Sequence, residues 1–166
     1  KMCVSAVSNT IYYIFTIADG ASDDGLQYSE VDLTLDNGLG AVTANKNIPL
    51  VSPTLEKVTA VKHANGTDVW VITHMRGNNT FNSFLVTATG VNTTSTNSNT
   101  GISIVNFQDS PGYLKASPDG RKLVVAHSVT NEGVELFDFD NSTGIVSNPL
   151  NLFTLGYSFP LPYGVE

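Results

Sequence analysis

The chain has 166 residues, 41% of them hydrophobic and only 14% charged, with a formal net charge of −7 at neutral pH. That balance makes a folded chain with one sizeable core and excludes a disordered one. The acid excess excludes nucleic acid as the main partner, because such binding needs clustered Lys and Arg to release counterions; with no run of about 18 apolar residues, nothing inserts into a membrane as a helix.

Taken in chain order, Lys1-Met2-Cys3-Val4 is too short in apolar length to be a signal-peptide core and reads as the middle of something longer. Cys3 has no second cysteine to pair with and reads as an ordinary apolar strand residue. Ile11-Tyr12-Tyr13-Ile14-Phe15-Thr16 is rich in β-formers, and 19–25 is a polar loop of Asp and Gly. Val31-Asp32-Leu33-Thr34-Leu35 alternates with period 2 and predicts a half-buried strand. This first unit, 1–50, is expected to lack its own first strand. A second unit at 56–107 has strands near 57–62, 68–74, 81–87 and 101–107, with a low-complexity loop at 92–100. A third at 112–155 has strands near 113–116, 122–128, 134–139 and 145–152, and 163–166 opens a fourth. No window carries a sustained 3.6-residue apolar period, so almost no helix is expected.

The units repeat. Leu35-Asp36-Asn37-Gly38-Leu39-Gly40-Ala41-Val42 returns as Phe139-Asp140-Asn141-Ser142-Thr143-Gly144-Ile145-Val146, with a looser copy at Leu85-Val86-Thr87-Ala88-Thr89-Gly90-Val91. His63-Ala64-Asn65-Gly66 and Ser117-Pro118-Asp119-Gly120 each precede a β-branched run, as the tight turn of a hairpin requires. The glycines of the first motif recur at intervals of about 50 residues or a little more, against the roughly 40–50 typical of propeller blades. Strand, tight turn, strand, variable loop, strand, Gly turn, strand is the order of one four-stranded antiparallel blade. The fold class expected is therefore all-β, a β-propeller fragment of about three blades. About three blades cannot close a ring, so further chain, or further copies, must cover the outer faces.

Tyr12-Tyr13-Ile14-Phe15-Thr16, Tyr28-Ser29-Glu30-Val31-Asp32, the run from Glu56 to Gly66, Gly112-Tyr113-Leu114-Lys115-Ala116-Ser117-Pro118-Asp119-Gly120 and Val134-Glu135-Leu136-Phe137-Asp138-Phe139-Asp140 together resemble the WD40-like or YVTN-type propeller domains of large secreted bacterial surface proteins. Such domains are often followed by PKD-type modules and a sorting domain for type IX secretion. The resemblance implies an extracellular or cell-surface location and a noncatalytic role in adhesion or scaffolding. Some relatives carry a lactonase-like label, but no motif here transfers a lactonase site residue by residue.

The chemistry-bearing residues point the same way. A G-x-S-x-G nucleophile elbow is absent from the sequence. His63, His74 and His127 are zinc-ligand types, but one sits at a hairpin turn and two near ends of second strands, a spacing that suits ordinary hydrogen-bonded histidines. Asp19, Asp23 and Asp24, flanked by Gly20 and Gly25, could hold Ca²⁺ through oxygen ligands, yet they fit no EF-hand loop and read as a solvated acidic loop. Asp138 and Asp140 read as structural, Trp70 as core, and the Asn-X-Ser/Thr triplets at Asn65, Asn78, Asn92 and Asn141 as chance in an Asn- and Thr-rich chain. Blade topology gathers inter-blade loops and second-to-third-strand loops on one rim. The ligand contacts expected there are Asp19, Asp23 and Asp24, then Arg76, Asn78 and Asn79, then Glu132, with Lys57, Lys62 and Tyr113 nearer the channel. No catalytic and no metal residue is assigned. The partner expected is a protein or glycan, or further blades of the same protein. The alternatives are a lactonase-like hydrolase completed by missing blades, and a subunit of an extracellular filament that self-assembles through open blade faces.

Overall fold

Antiparallel strands follow one another through short turns and gather into three sheets. A computed structural model describes residues 2–4, 10–19, 22–105, 110–127, 133–153 and 163–165. The first sheet holds β1 (Met2–Val4), β2 (Ile11–Ile17), β3 (Leu26–Asp32), β4 (Ala41–Val42) and β5 (Ile48–Val51). The second holds β6 (Thr54–Lys62), β7 (Val69–Met75), β8 (Asn78–Thr87), β9 (Gly90–Val91) and β10 (Thr96–Ile104). The third holds β11 (Leu114–Ala116), β12 (Lys122–Ala126), β13 (Val134–Asp140) and β14 (Ile145–Phe153). The third is a simple up-and-down meander, β11-β12-β13-β14, and the first two follow the same path with the outermost strand in two pieces, β4 and β5 both on β3, β9 and β10 both on β8. The chain is all-β, and the sole helical element among the described residues is a 3₁₀ turn at Asp36–Gly38.

Both repeated motifs fall at equivalent turns. His63-Ala64-Asn65-Gly66 joins β6 to β7 and Ser117-Pro118-Asp119-Gly120 joins β11 to β12. His63 Nδ1 accepts the Asn65 N–H at 3.0 Å, and Ser117 Oγ accepts the Lys122 N–H at 3.0 Å, so unlike side chains do the same work in the two turns. The other motif leads out of the third strand of each sheet and carries Gly40, Gly90 and Gly144 at φ of 85°, 124° and 79°. At Gly144 the constraint is double, because an added Cβ would lie 2.8 Å from the Trp70 ring. Replacing Gly144 with Ala is expected to lower stability by about 2 kcal/mol, read as a fall in denaturation midpoint, since the substitution is strained at this φ and overpacks the indole.

Period-2 alternation gives the second sheet two apolar faces. Val71, Phe84 and Val86 pack with Tyr13, Phe15 and Leu26 of the first sheet. Val61, Trp70, Ile72 and Phe81 pack with Leu123, Val125, Phe137 and Phe139 of the third. The second sheet is thus covered on both sides by its chain neighbours. The outer face of the third sheet keeps a cross-strand row of Val124, Leu136 and Leu150, the last 56% exposed.

Several strands differ from the sequence expectation. The first unit does have a first strand, β1, paired Met2 to Phe15 and Val4 to Tyr13. The alternating stretch at 31–35 stops as a strand at Asp32, whose Oδ1 accepts the Thr34 N–H at 2.8 Å and hydroxyl at 2.7 Å, turning the chain and leaving Leu33 and Leu35 exposed. The tract at 92–100 is not all loop, and the strand expected at 101–107 begins earlier, at Thr96. Cross-strand amide and hydroxyl bonds hold it, with Asn82 Nδ2 donating to Asn97 Oδ1 at 2.8 Å and Thr80 Oγ1 to Asn99 Oδ1 at 2.7 Å.

The outermost strand of each sheet is irregular. In the first sheet it is split into β4 and β5 on either side of Asn47 at φ 53°, and Pro49 lies within β5. In the second it is split into β9 and β10, with a register shift between Asn99 and Ile104. In the third, β14 carries two register shifts, Asn148 at φ 52° and Pro149. Bulges and prolines are the devices that blunt an exposed edge.

Candidate functional site

The expected contact residues fall into separate groups. Asp23 and Arg76 form an ion pair that ties the β2–β3 loop of the first sheet to the β7–β8 loop of the second. The Arg76 N–H donates to Pro53 O at 3.1 Å, and the Ser52 hydroxyl to Asp23 O, so the connector into β6 joins the same cluster. Asp19 Oδ1 accepts the Ser22 N–H at 2.9 Å and Asp24 Oδ2 the Ser22 hydroxyl at 2.9 Å, which makes this acidic loop self-capped. Asn78 and Asn79 adjoin Arg76. Asn78 Oδ1 accepts the Thr80 N–H at 2.8 Å, and Asn79 Nδ2 donates to Gly101 O at 3.3 Å.

The remaining candidates lie apart. Lys62 is exposed at the far end of β6, beside a groove of about 620 Å³ shared by the β6–β7 and β11–β12 turns and lined by His63, Lys115, Asp119 and Asn141. Tyr113 is half exposed, its N–H donates to Tyr163 O at 2.8 Å, and the two rings lie 5.5 Å apart. Glu132 lies outside the described residues. Lys57 is 1% exposed, and its ammonium donates to Ser110 O and Pro111 O at 2.8 Å and Gly112 O at 3.4 Å. A ligand could reach it only by displacing those carbonyls.

Lys57 belongs to a buried group that sequence reasoning did not assemble. Alternation places Lys57 with Val61 and His74 with Ile72 on the face turned to the third sheet, and Glu135 with Phe137 and Phe139 on the face opposite. His74 and His127 are 2% and 1% exposed and Glu135 is 3% exposed. His127 Nε2 and Glu135 Oε2 are 3.0 Å apart, and Glu135 Oε1 accepts the Ile102 N–H of β10 at 3.1 Å, a bond between the two sheets. His127 Nδ1 is buried without a hydrogen-bond partner. His74 Nδ1 meets Met75 O at 2.7 Å, and its ring stands edge-on to Phe81 at 4.5 Å. Burial above all, then repulsion from His127 and Lys57, takes the His74 imidazole down to about 4 against the pull of Met75 O. The sequence signal for the group was parity. A Glu two residues before Phe137 and four before Phe139 must share their buried face.

Among the described residues no group of His, Cys, Asp and Glu is disposed to hold a metal ion, and no helix is long and apolar enough to cross a membrane. Trp70 is 5% exposed and donates its indole N–H to Asn141 O at 3.0 Å, so it serves as core and as a tie between sheets. Asp138 pairs with Lys122 and accepts from Asn148, while Asp140 caps its own turn through Ser142. Compared with known protein families and with curated proteins, the chain gives no match.

Proposed function

We propose that the chain is a section of a β-propeller of the WD40-like or YVTN type and works as a noncatalytic binding or scaffolding module of a secreted or cell-surface bacterial protein, in an adhesive role. The observation that carries the reading is the stacking of three meander sheets in chain order, with the second clasped on both faces. The first strands also neighbour one another, β1 and β2 against β6 and β6 against β11, and Tyr163 pairs with Tyr113 beside β11 as the start of a further unit would. In favour of a noncatalytic role, Lys57, His74, His127 and Glu135 are buried in the joint between sheets, where they act as structural partners. Exposed Asp19, Asp23, Asp24 and Asn78, with half-buried Arg76 and Asn79 among them, make a polar surface of carboxylates and amides, the groups that hydrogen-bond sugar hydroxyls or a protein backbone. Fold alone does not assign this role.

The test uses the purified chain. On an array of neutral and acidic glycans, with and without Ca²⁺, binding is expected and is reduced at least tenfold by the double substitution Asn78→Ala, Asn79→Ala. Hydrolysis of a γ-lactone and of an aryl ester is expected to stay at the buffer rate under the same conditions. Lactone turnover above buffer overturns the noncatalytic reading in favour of a hydrolase. Concentration-dependent growth in native mass, with no glycan bound, overturns it in favour of a self-assembling subunit.

A further inference from the structure

The joint between the first and second sheets is apolar at its centre, whereas the joint between the second and third contains ionisable groups in its buried interior. Among the described residues, β6 brings the Lys57 ammonium, β7 His74, β8 the Phe81 ring, β10 the Ile102 amide, the end of β12 His127 and β13 the Glu135 carboxylate, with the carbonyls of 110–112 capping Lys57, while β11 and β14 bring the apolar Leu114 and Val146. His74 is 2% exposed and its Nδ1 is already bonded to Met75 O, so a proton on the ring adds a cation that is cut off from water and stands beside the Lys57 ammonium.

We propose that this joint is an acid-operated latch, in which His74, buried against Lys57 and His127, holds the second and third sheets together only while its ring is neutral. Parting of the two sheets gives the ring water and an ordinary basicity. Between an ordinary value of 6.5 and the folded value of about 4, the parted state holds one proton more than the closed one. The closed joint is thus fully stable above 6.5, weakens as pH falls through that window, and levels off below about 4, with the parted fraction rising about tenfold per pH unit. Asp119 and Asp138, the third-sheet carboxylates nearest in kind, are held below the ordinary carboxylate range by their hydrogen bonds to Ser117 and Lys122, so their protonation comes lower.

The single tryptophan is a built-in reporter, since Trp70 lies in this joint and bonds across it. Acrylamide quenching of Trp70 in the full chain is expected to rise as pH falls from 6.5 towards 4, with the parted-state share growing about tenfold per pH unit while it is small, to reverse on return to neutral pH, and to lose that slope in His74→Gln. Quenching that stays flat in the wild type, or an unchanged slope in His74→Gln, overturns the latch. If His74→Gln does not fold, the ring resonances of His74 in the wild type decide. Trp70 exposure rising in step with protonation of that ring supports the proposal, and exposure rising while the ring is still neutral overturns it.

Discussion

Phe137→Ala is expected to lower stability by about 4 kcal/mol, seen as a fall of about 10 °C in the thermal midpoint. Phe137 is 1% exposed in the core between the second and third sheets, with its ring 5.0 Å from Phe81 and inclined at 68° to it. The ring is also held from the β10 side, where an added Cβ on Gly101 would lie 2.7 Å from it. Backbone that close cannot collapse into a vacated space without moving β10, so most of the cavity stays open and its cost is not recovered. Leu150→Ala on the outer face of the same sheet, at 56% exposure, is the control and is expected to change stability by less than about 0.5 kcal/mol. Equal effects at the two positions would mean that the sheets do not share the core described.

Lys57→Met is expected to be nearly as damaging, at about 3 kcal/mol or more, while Lys62→Met in the same strand changes little. Methionine fills much of the volume of the lysine stem but donates nothing. The carbonyls of Ser110, Pro111 and Gly112 then lose their common donor, each at about 1–3 kcal/mol if it stays dry. The loss should be local first. Amide exchange is expected to accelerate in β6, which carries Lys57, and in β11, which follows the carbonyls of 110–112, before it does in β2 and β3. A ligand-binding role for Lys57 predicts the opposite pattern, with intact stability and weakened binding, so one variant discriminates the two.

The turns were the most legible part of the chain, because Asn65-Gly66, Asp119-Gly120 and the Gly at 40, 90 and 144 write backbone requirements directly into residue type. The buried strands of the second and third sheets were legible for a similar reason, since Val69-Trp70-Val71-Ile72 and Leu123-Val124-Val125 are β-branched and apolar wherever a face is covered. Edges were not. Thr96 to Thr100 has no apolar residue, and its strand exists because side-chain amides and hydroxyls ladder across to β8, an interaction that leaves no hydrophobic period. The stretch at 31–35 failed in the other direction, where the Asp32–Thr34 turn overrode a correct alternation. Of the candidate contact residues, Asp23 and Arg76 meet in an ion pair, while Lys57, expected nearer the channel, lies buried under the carbonyls of 110–112. Its parity with Val61 held the better answer.

The broken outer strands carry one more consequence. Asn47 and Asn148 in left-handed conformation, with Pro49 and Pro149 beside them, deny a neighbouring molecule the straight ladder of amides that templated fibre growth copies from chain to chain. Lateral recruitment at these outer edges is hindered, and a polymer that left them unpaired would lengthen as coins do in a roll, face upon face.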